Sequence, residues 1–75
     1  MPRHGLPATG PPNSTDERHD AAGGIIQRRY YGPDGRAVKN IDYNHDHWAG
    51  VPHAHDWDWT QDPPRGPGRP LVPGE

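Results

Sequence analysis

Hydrophobic and β-favouring residues are concentrated in the middle of the chain and flank a Gly-Pro-Asp-Gly segment at residues 32–35. They are Ile25, Ile26, Tyr30, Tyr31, Val38, Ile41 and Tyr43. Pro at the second position, Asp at the third and Gly at the fourth are typical of a type I turn that ends in a left-handed glycine, the usual frame of a three-residue hairpin loop with a bulge. The pattern therefore predicts a β-hairpin with strands at about 25–31 and 36–43.

The turn also predicts how these strands pair. If residues 32 and 36 face each other, Tyr30 faces Val38 and Arg28 faces Asn40. Arg29 then lies opposite Lys39. Such a like-charge pair favours a bound phosphate between the side chains, although the alternative, in which both side chains extend into solvent, needs no ligand.

A hairpin of two strands is marginal in water, so another element must cover it. The Trp-rich segment at residues 48–59 is the candidate. Residues 53–59 alternate His or Trp with Ala or Asp, a pattern compatible with a third strand that carries two histidines and two tryptophans on one face. The expected fold class is a small β or α+β module at residues 25–59.

Both ends of the chain are rich in proline and glycine. Residues 1–24 contain four prolines and four glycines, and residues 60–75 contain five prolines and three glycines. We expect a disordered N-terminal arm at 1–24, in which residues 14–22 form at most one helical turn. Residues 60–75 are expected to be a disordered polyproline-like tail, in which Pro64, Pro67 and Arg69 match a PxxPxR ligand pattern.

Composition limits the chemistry further. The chain has 75 residues, a net charge of -2, no cysteine and only eight Ile, Leu, Val or Phe residues, so a large aliphatic core is excluded. The absence of cysteine excludes disulfides, thiolate metal sites and cysteine nucleophiles, and any metal must be held by nitrogen and oxygen. No window approaches the roughly 20 apolar residues of a membrane span, and no signal peptide is seen.

Ten of the fifteen residues at 45–59 are His, Asp or Trp. On an extended strand the two residues of a His-x-His pair project from the same face, so each pair can bind one cation. The pattern predicts a site for a divalent metal (Zn, Ni or Mn) with candidate ligands His45, His47, His53, His55 and Asp56. Solvent-facing histidines on a loop anchored by tryptophan are the alternative.

A second hypothesis needs no metal, because histidine exchanges protons near neutral pH and could cleave a phosphodiester by acid-base catalysis. The candidate catalytic residues are His53, His55, His45 and Asp42, the last as an orienting carboxylate. The candidate substrate-binding residues are Arg28, Arg29 and Lys39 for phosphate, and Trp48 and Trp57 for stacked bases. The slightly acidic net charge argues against a broad nucleic-acid surface, and core packing is the alternative role of the tryptophans.

The run RRYYGPDGRAVKNIDYNHDHWAGVPHAHDWDW resembles a short module at the C-terminal ends of bacterial secreted polymorphic toxins and in small phage-linked or orphan actinobacterial proteins. The matching positions, which cover less than half the chain, are Arg29, Tyr30, Tyr31, Asp34, Gly35, Asp42, Tyr43, His45, Pro52, His53, His55 and Trp57. The resemblance implies a toxin-like or nuclease-like activity.

The chain starts at its own Met1 without the delivery region that toxins carry, so we expect a cytoplasmic location, or secretion if the chain acts in a toxin system. We expect a small nuclease-like module that acts on RNA. The alternatives are a non-catalytic, phage-derived module that binds a metal, a protein partner or a second copy of itself, and a mostly disordered linker protein.

Overall fold

The computed structural model describes residues 6–43 and 52–75, which form five antiparallel β-strands in one open sheet and no helix. The strands are β1 (Thr15–His19), β2 (Ile25–Tyr31), β3 (Ala37–Asp42), β4 (His53–Trp57) and β5 (Arg65–Pro70). Their order in the sheet follows the chain, so each strand pairs with its sequence neighbours. The small β fold predicted from the sequence is confirmed, and the predicted hairpin corresponds to β2 and β3.

The turn between β2 and β3 has the predicted chemistry. The Gly35 N–H donates to the Gly32 carbonyl at 3.0 Å, and the Gly32 N–H donates to the Arg36 carbonyl at 2.9 Å. Gly35 has φ of 80°, the left-handed conformation that glycine adopts without steric cost. The loop chemistry alone therefore fixes where the hairpin reverses.

A bulge at Val38 changes the register of the hairpin. Tyr31 pairs with Ala37, but the next residue of β2, Tyr30, pairs with Lys39, so Val38 has no partner on β2. A bulge inserts one residue into one strand and moves every later pair by one position. The predicted pairing is therefore right at the turn and wrong beyond it.

The shifted register corrects the predicted faces of the sheet. Arg29 pairs with Asn40 and Gln27 pairs with Asp42, so these four polar side chains share one face. Lys39 does not lie opposite Arg29, and its ammonium group instead lies 4.9 Å from the centre of the Tyr30 ring. The like-charge pair that favoured a phosphate is therefore absent from the structure.

The third strand expected at residues 53–59 is present as β4, which pairs with β3. β4 lies beside β3 in the same sheet and does not pack over the face of the hairpin. The Trp57 and Trp59 rings stack with their centres 5.7 Å apart, and the Trp59 indole N–H donates to the Ala37 carbonyl at 2.8 Å. The two tryptophans therefore connect the end of β4 to the start of β3.

The structure differs from the sequence prediction at both ends, where β1 and β5 lie in segments expected to be disordered. Both are edge strands, where polar residues and proline are tolerated because one side needs no ladder hydrogen bonds. In β1 the Glu17 carboxylate contacts the Arg28 guanidinium at 2.7 Å. In β5 the prolines are Pro67 and Pro70.

Residues 6–10, which we call the strap, cross the end of the hairpin and bind the start of β3. The Ala37 N–H donates to the Ala8 carbonyl at 2.9 Å, and the Gly10 N–H donates to the Gly35 carbonyl at 2.8 Å. The strap therefore contributes backbone hydrogen bonds to the sheet although it precedes β1 in the chain.

Among residues 6–43 and 52–75, buried polar residues outnumber buried hydrophobic residues. The buried hydrophobic residues are Tyr31, Ala37, Ile41 and Ala54, whereas the buried polar residues are Gln27, Arg29, Asn40, Asp42, His53 and His55. Buried polar groups are costly unless they are hydrogen-bonded or bind a ligand. Within residues 6–43 and 52–75 the structure has no helix with the length and apolar character needed to cross a membrane.

Candidate metal centre

Three potential ligands meet on the polar face of the sheet. His53 pairs with Asp42 across β3 and β4, and His55 follows His53 on the same face because side chains of a strand alternate. Their ligand atoms all lie within 4.8 Å of one another. Asp42, His53 and His55 expose only 3%, 0% and 6% of their surface, so they form a buried group.

The distances within this group suit a tetrahedral cation. The Nε2 atoms of His53 and His55 each lie 3.4 Å from Oδ2 of Asp42. Two ligand atoms that bind tetrahedral zinc at about 2.0–2.1 Å are about 3.4 Å apart. Both separations between an imidazole nitrogen and the carboxylate oxygen therefore match the ligand spacing of a tetrahedral site, and the three ligand atoms all lie within 4.8 Å of one another.

The second nitrogen of His55 fixes which tautomer is present. Nδ1 lies 2.8 Å from the Gly66 carbonyl oxygen, which can only accept, so Nδ1 carries a proton and donates. Burial lowers the pKa of His55, which favours the neutral ring. Its Nε2 is then unprotonated, and no hydrogen bond reaches this buried atom from the residues that the structure describes.

This arrangement places the Nε2 lone pair of His55 against a carboxylate oxygen. Two acceptors that face each other at 3.4 Å in a buried site repel unless a proton or a cation lies between them. A metal-binding histidine usually donates from its other ring nitrogen to a carbonyl or a carboxylate. His55 does so through Nδ1, which donates to the Gly66 carbonyl. The geometry of His55 is therefore compatible with binding a metal ion.

The second oxygen of Asp42 is held by two amides. Oδ1 accepts hydrogen bonds from Gln27 Nε2 at 2.9 Å and from Asn40 Nδ2 at 3.2 Å. The Asn40 side-chain oxygen in turn accepts from the Trp57 indole N–H at 2.7 Å. These bonds orient the carboxylate so that Oδ2 faces the histidines.

Two imidazoles and one carboxylate are a nitrogen and oxygen donor set that suits divalent transition metals. Asp42, His53 and His55 could therefore hold a metal ion. The sequence missed Gln27, Asn40 and Gly66 as supporting residues, because only the register of the sheet brings them to this group.

One of the remaining predicted ligands, Asp56, does not belong to this group. Asp56 lies between His55 and Trp57 on β4, so it faces the opposite side of the sheet. Its carboxylate contacts the Arg69 guanidinium at 2.7 Å, and this hydrogen bond lowers the pKa of Asp56. His45 and His47 lie outside the described residues.

The residues predicted to bind phosphate and bases have other contacts in the structure. Arg28 pairs with Glu17 at 2.7 Å, and Lys39 pairs with the Glu75 carboxylate at 3.2 Å. Arg29 is buried, donates to two strap carbonyls and stacks on Trp57 at 4.8 Å from the ring centre. Trp48 lies outside the described residues. The three cations therefore do not form a common open surface.

Compared with known proteins, the chain matches no family model, and no curated protein or solved structure matches it either. The resemblance to toxin modules stays a prediction.

Proposed function

We propose that the protein is a metal-binding module in which Asp42, His53 and His55 hold one divalent cation, and that zinc is the preferred ion. The observation that carries the proposal is the buried contact between His55 Nε2 and Asp42 Oδ2 at 3.4 Å. This contact supports cation binding because the Gly66 carbonyl holds a proton on Nδ1 and burial, by lowering the pKa of His55, favours the neutral ring, whose Nε2 then carries a lone pair.

Zinc fits this group better than nickel or manganese. Manganese prefers octahedral sites dominated by oxygen, and nickel prefers tetragonal geometry. Zinc accepts a tetrahedral arrangement of imidazole and carboxylate ligands, for which separations of 3.4 Å are suitable.

We infer that the cation has a structural role. The three ligands are buried, so a polymeric substrate would have little access to them. A bound cation would contact the buried Asp42 carboxylate and would accept the Nε2 lone pair of His55, which otherwise faces that carboxylate at 3.4 Å. Because the unfolded chain lacks this site, the free energy of metal binding would add to the free energy of folding. Cleavage of RNA by His53 and His55 stays a prediction, and their burial favours the non-catalytic alternative.

Titration calorimetry of the tag-free protein with zinc, nickel and manganese at neutral pH tests the proposal. We expect the wild-type chain to bind one zinc ion, and His53→Ala and Asp42→Asn to weaken binding by at least about tenfold. His19→Ala is the matched control, because His19 is exposed and its imidazole forms an ion pair with Glu17 at 3.4 Å, on a strand away from the three candidate ligands.

Equal zinc affinity in the wild type and in His53→Ala would overturn the proposal. A parallel incubation of each protein with single-stranded RNA distinguishes the proposed structural role of the metal from the enzyme hypothesis. The structural role predicts that no preparation cuts RNA, whereas cleavage that is lost in both His53→Ala and His55→Ala would favour the nuclease hypothesis.

A further inference from the structure

The start of β3 offers a stretch of sheet edge that β4 does not reach. Pairing between β3 and β4 begins at Lys39, which leaves Arg36 and Ala37 without a partner on β4. The strap occupies this edge, where Thr9 forms an antiparallel bridge with Arg36. Its backbone hydrogen bonds to Gly35 and Ala37 have lengths of 2.8 and 2.9 Å.

Side chains of β2 bind the other half of the strap through its backbone. The Tyr31 hydroxyl donates to the Pro7 carbonyl at 2.6 Å, and the Arg29 guanidinium donates to the carbonyls of Pro7 and Leu6. A Cβ on Gly10 would lie 3.1 Å from the Tyr31 ring, a tight contact that favours glycine at this position. The surface therefore recognises an extended backbone that carries a glycine at one defined position.

The link between the strap and β1 is short and strained. Asn13 has φ of 57°, a left-handed conformation that is uncommon for residues other than glycine. Its N–H donates to the Gly32 carbonyl at 2.9 Å, and the Ser14 hydroxyl donates to the Pro11 carbonyl at 2.6 Å. Two consecutive prolines, Pro11 and Pro12, restrict the same link. A strained hinge beside an exchangeable segment favours domain swapping.

We propose that the strap also docks on the hairpin of a second copy, so that two chains form a dimer by exchanging residues 6–10. Exchange keeps every contact of the strap, because each chain supplies the same donors and carbonyls. It also lets the link at Asn13 open to an extended conformation. The partner is thus a second copy of this chain, and its bound segment is Leu-Pro-Ala-Thr-Gly.

The tether sets the conditions under which exchange occurs. The strap of the same chain, held on a short linker, competes with the strap of a second copy for the same hairpin. The linker gives the chain's own strap an effective concentration of the order of millimolar. Dimers are therefore expected after unfolding and refolding at about 1 mM protein and not after refolding at micromolar concentration. The strap contacts lie on residues other than the metal ligands, so exchange does not require a bound metal.

The experiment uses the full chain in two isotopic forms, one labelled with ¹³C and one unlabelled. The two forms are unfolded, mixed, refolded at high concentration and separated by size. We expect a dimer in which the labelled Tyr31 ring shows intermolecular nuclear Overhauser effects to unlabelled Pro7. Absence of a dimer, or a dimer without these effects, would overturn the proposal.

Three variants test the hinge and the docking surface. Gly10→Val should abolish the dimer, because the added side chain meets the Tyr31 ring, whereas Ala22→Val at an exposed turn should not. Asn13→Gly should lower the dimer fraction several-fold, because glycine removes the strain of the closed form. If Gly10→Val does not fold, Asn13→Gly is the deciding variant, and Tyr31→Phe is its control because the lost hydroxyl bond weakens the closed and the exchanged forms alike. Undiminished dimer in Gly10→Val, or in Asn13→Gly, would contradict the proposal.

Discussion

The indole N–H of Trp57 donates to the side-chain oxygen of Asn40 at 2.7 Å, across the boundary between β4 and β3. Because this oxygen is bonded, the Asn40 amide nitrogen faces Asp42 and donates to it at 3.2 Å. Trp57 therefore influences the orientation of the Asp42 carboxylate through Asn40, although its own indole N–H does not bond to Asp42. Such outer partners tune a metal site through the ligands that they hold.

Trp57→Phe is therefore expected to lower stability and zinc affinity together. The lost hydrogen bond leaves the buried Asn40 oxygen unsatisfied, at a cost of about 1–3 kcal/mol. We also expect zinc to bind about tenfold more weakly, because the amide is free to rotate away from Asp42. Urea unfolding and zinc titration measure the two effects.

Trp59→Phe is the matched control for that variant. It removes a hydrogen bond of similar length, 2.8 Å to the Ala37 carbonyl, that does not lead to Asp42. Stability should fall while zinc affinity stays unchanged. Equal losses of zinc affinity in the two variants would show that Trp57 acts only through general stability.

The stability of the metal-free protein should decrease in acid because of His55. Burial lowers the pKa of this residue in the folded state, whereas in the unfolded chain it is near 6.5. Below about pH 6.5 the unfolded chain therefore binds more protons than the folded chain. The free energy of unfolding decreases as the pH is lowered through this range. The decrease ends once the pH is below the folded pKa.

Urea unfolding of the chelator-treated protein between pH 8 and pH 5 measures this effect. His55→Gln should show a smaller decrease over the same range. A wild-type protein that becomes more stable as the pH falls below about 6.5 would contradict the burial of a neutral His55.

Two glycines with positive φ allow the cost of backbone strain to be measured apart from the cost of a steric clash. Gly23 has φ of 89° and open space around its missing side chain, whereas Gly35 has φ of 80° and a Cβ there would lie 2.6 Å from the Gly10 carbonyl oxygen. Gly23→Ala should cost about 1–2 kcal/mol from conformation alone. Gly35→Ala should cost clearly more, because it also displaces the strap.

Chemical denaturation of the two variants provides the comparison. Gly35→Val should be at least as damaging as Gly35→Ala, since a β-branched residue resists positive φ more strongly. If Gly23→Ala and Gly35→Ala lower the free energy of unfolding by the same amount, the strap does not pack against the turn.

The hairpin was predictable because its signal is local. Gly32, Asp34 and Gly35 specify the turn through their own conformational preferences, and β-favouring residues lie on both sides. The bulge at Val38 was not predictable, because it depends on how β3 is held between its neighbours. That single irregularity moves Asn40 and Asp42 to the face of Arg29, since a shift of one residue reverses a strand's faces.

The edge strands were missed for a different reason. Residues 15–19 and 65–70 carry few apolar side chains, so neither hydrophobic alternation nor strand propensity marks them. Their stability comes from pairing with a neighbour that is already formed and from contacts such as Glu17 with Arg28. These contacts exist only in the assembled sheet.

Part of the candidate site was visible in the sequence. The His-x-His spacing of residues 53 and 55 predicts a shared face, and the sequence also predicts Asp42 as an orienting carboxylate. The same alternation places Asp56 on the opposite face, so the prediction of Asp56 as a ligand on that face is wrong. The supporting amides of Gln27 and Asn40 required the observed register.

Coordination by His53 and His55 can be followed atom by atom in long-range ¹H–¹⁵N spectra of the histidine rings during a zinc titration. With one equivalent of zinc we expect the Nε2 signals of both residues to shift, the His55 Nδ1 to remain protonated against Gly66, and the signals of His19 to stay in place. Nε2 signals of His53 and His55 that do not move at saturating zinc would contradict the proposed metal centre.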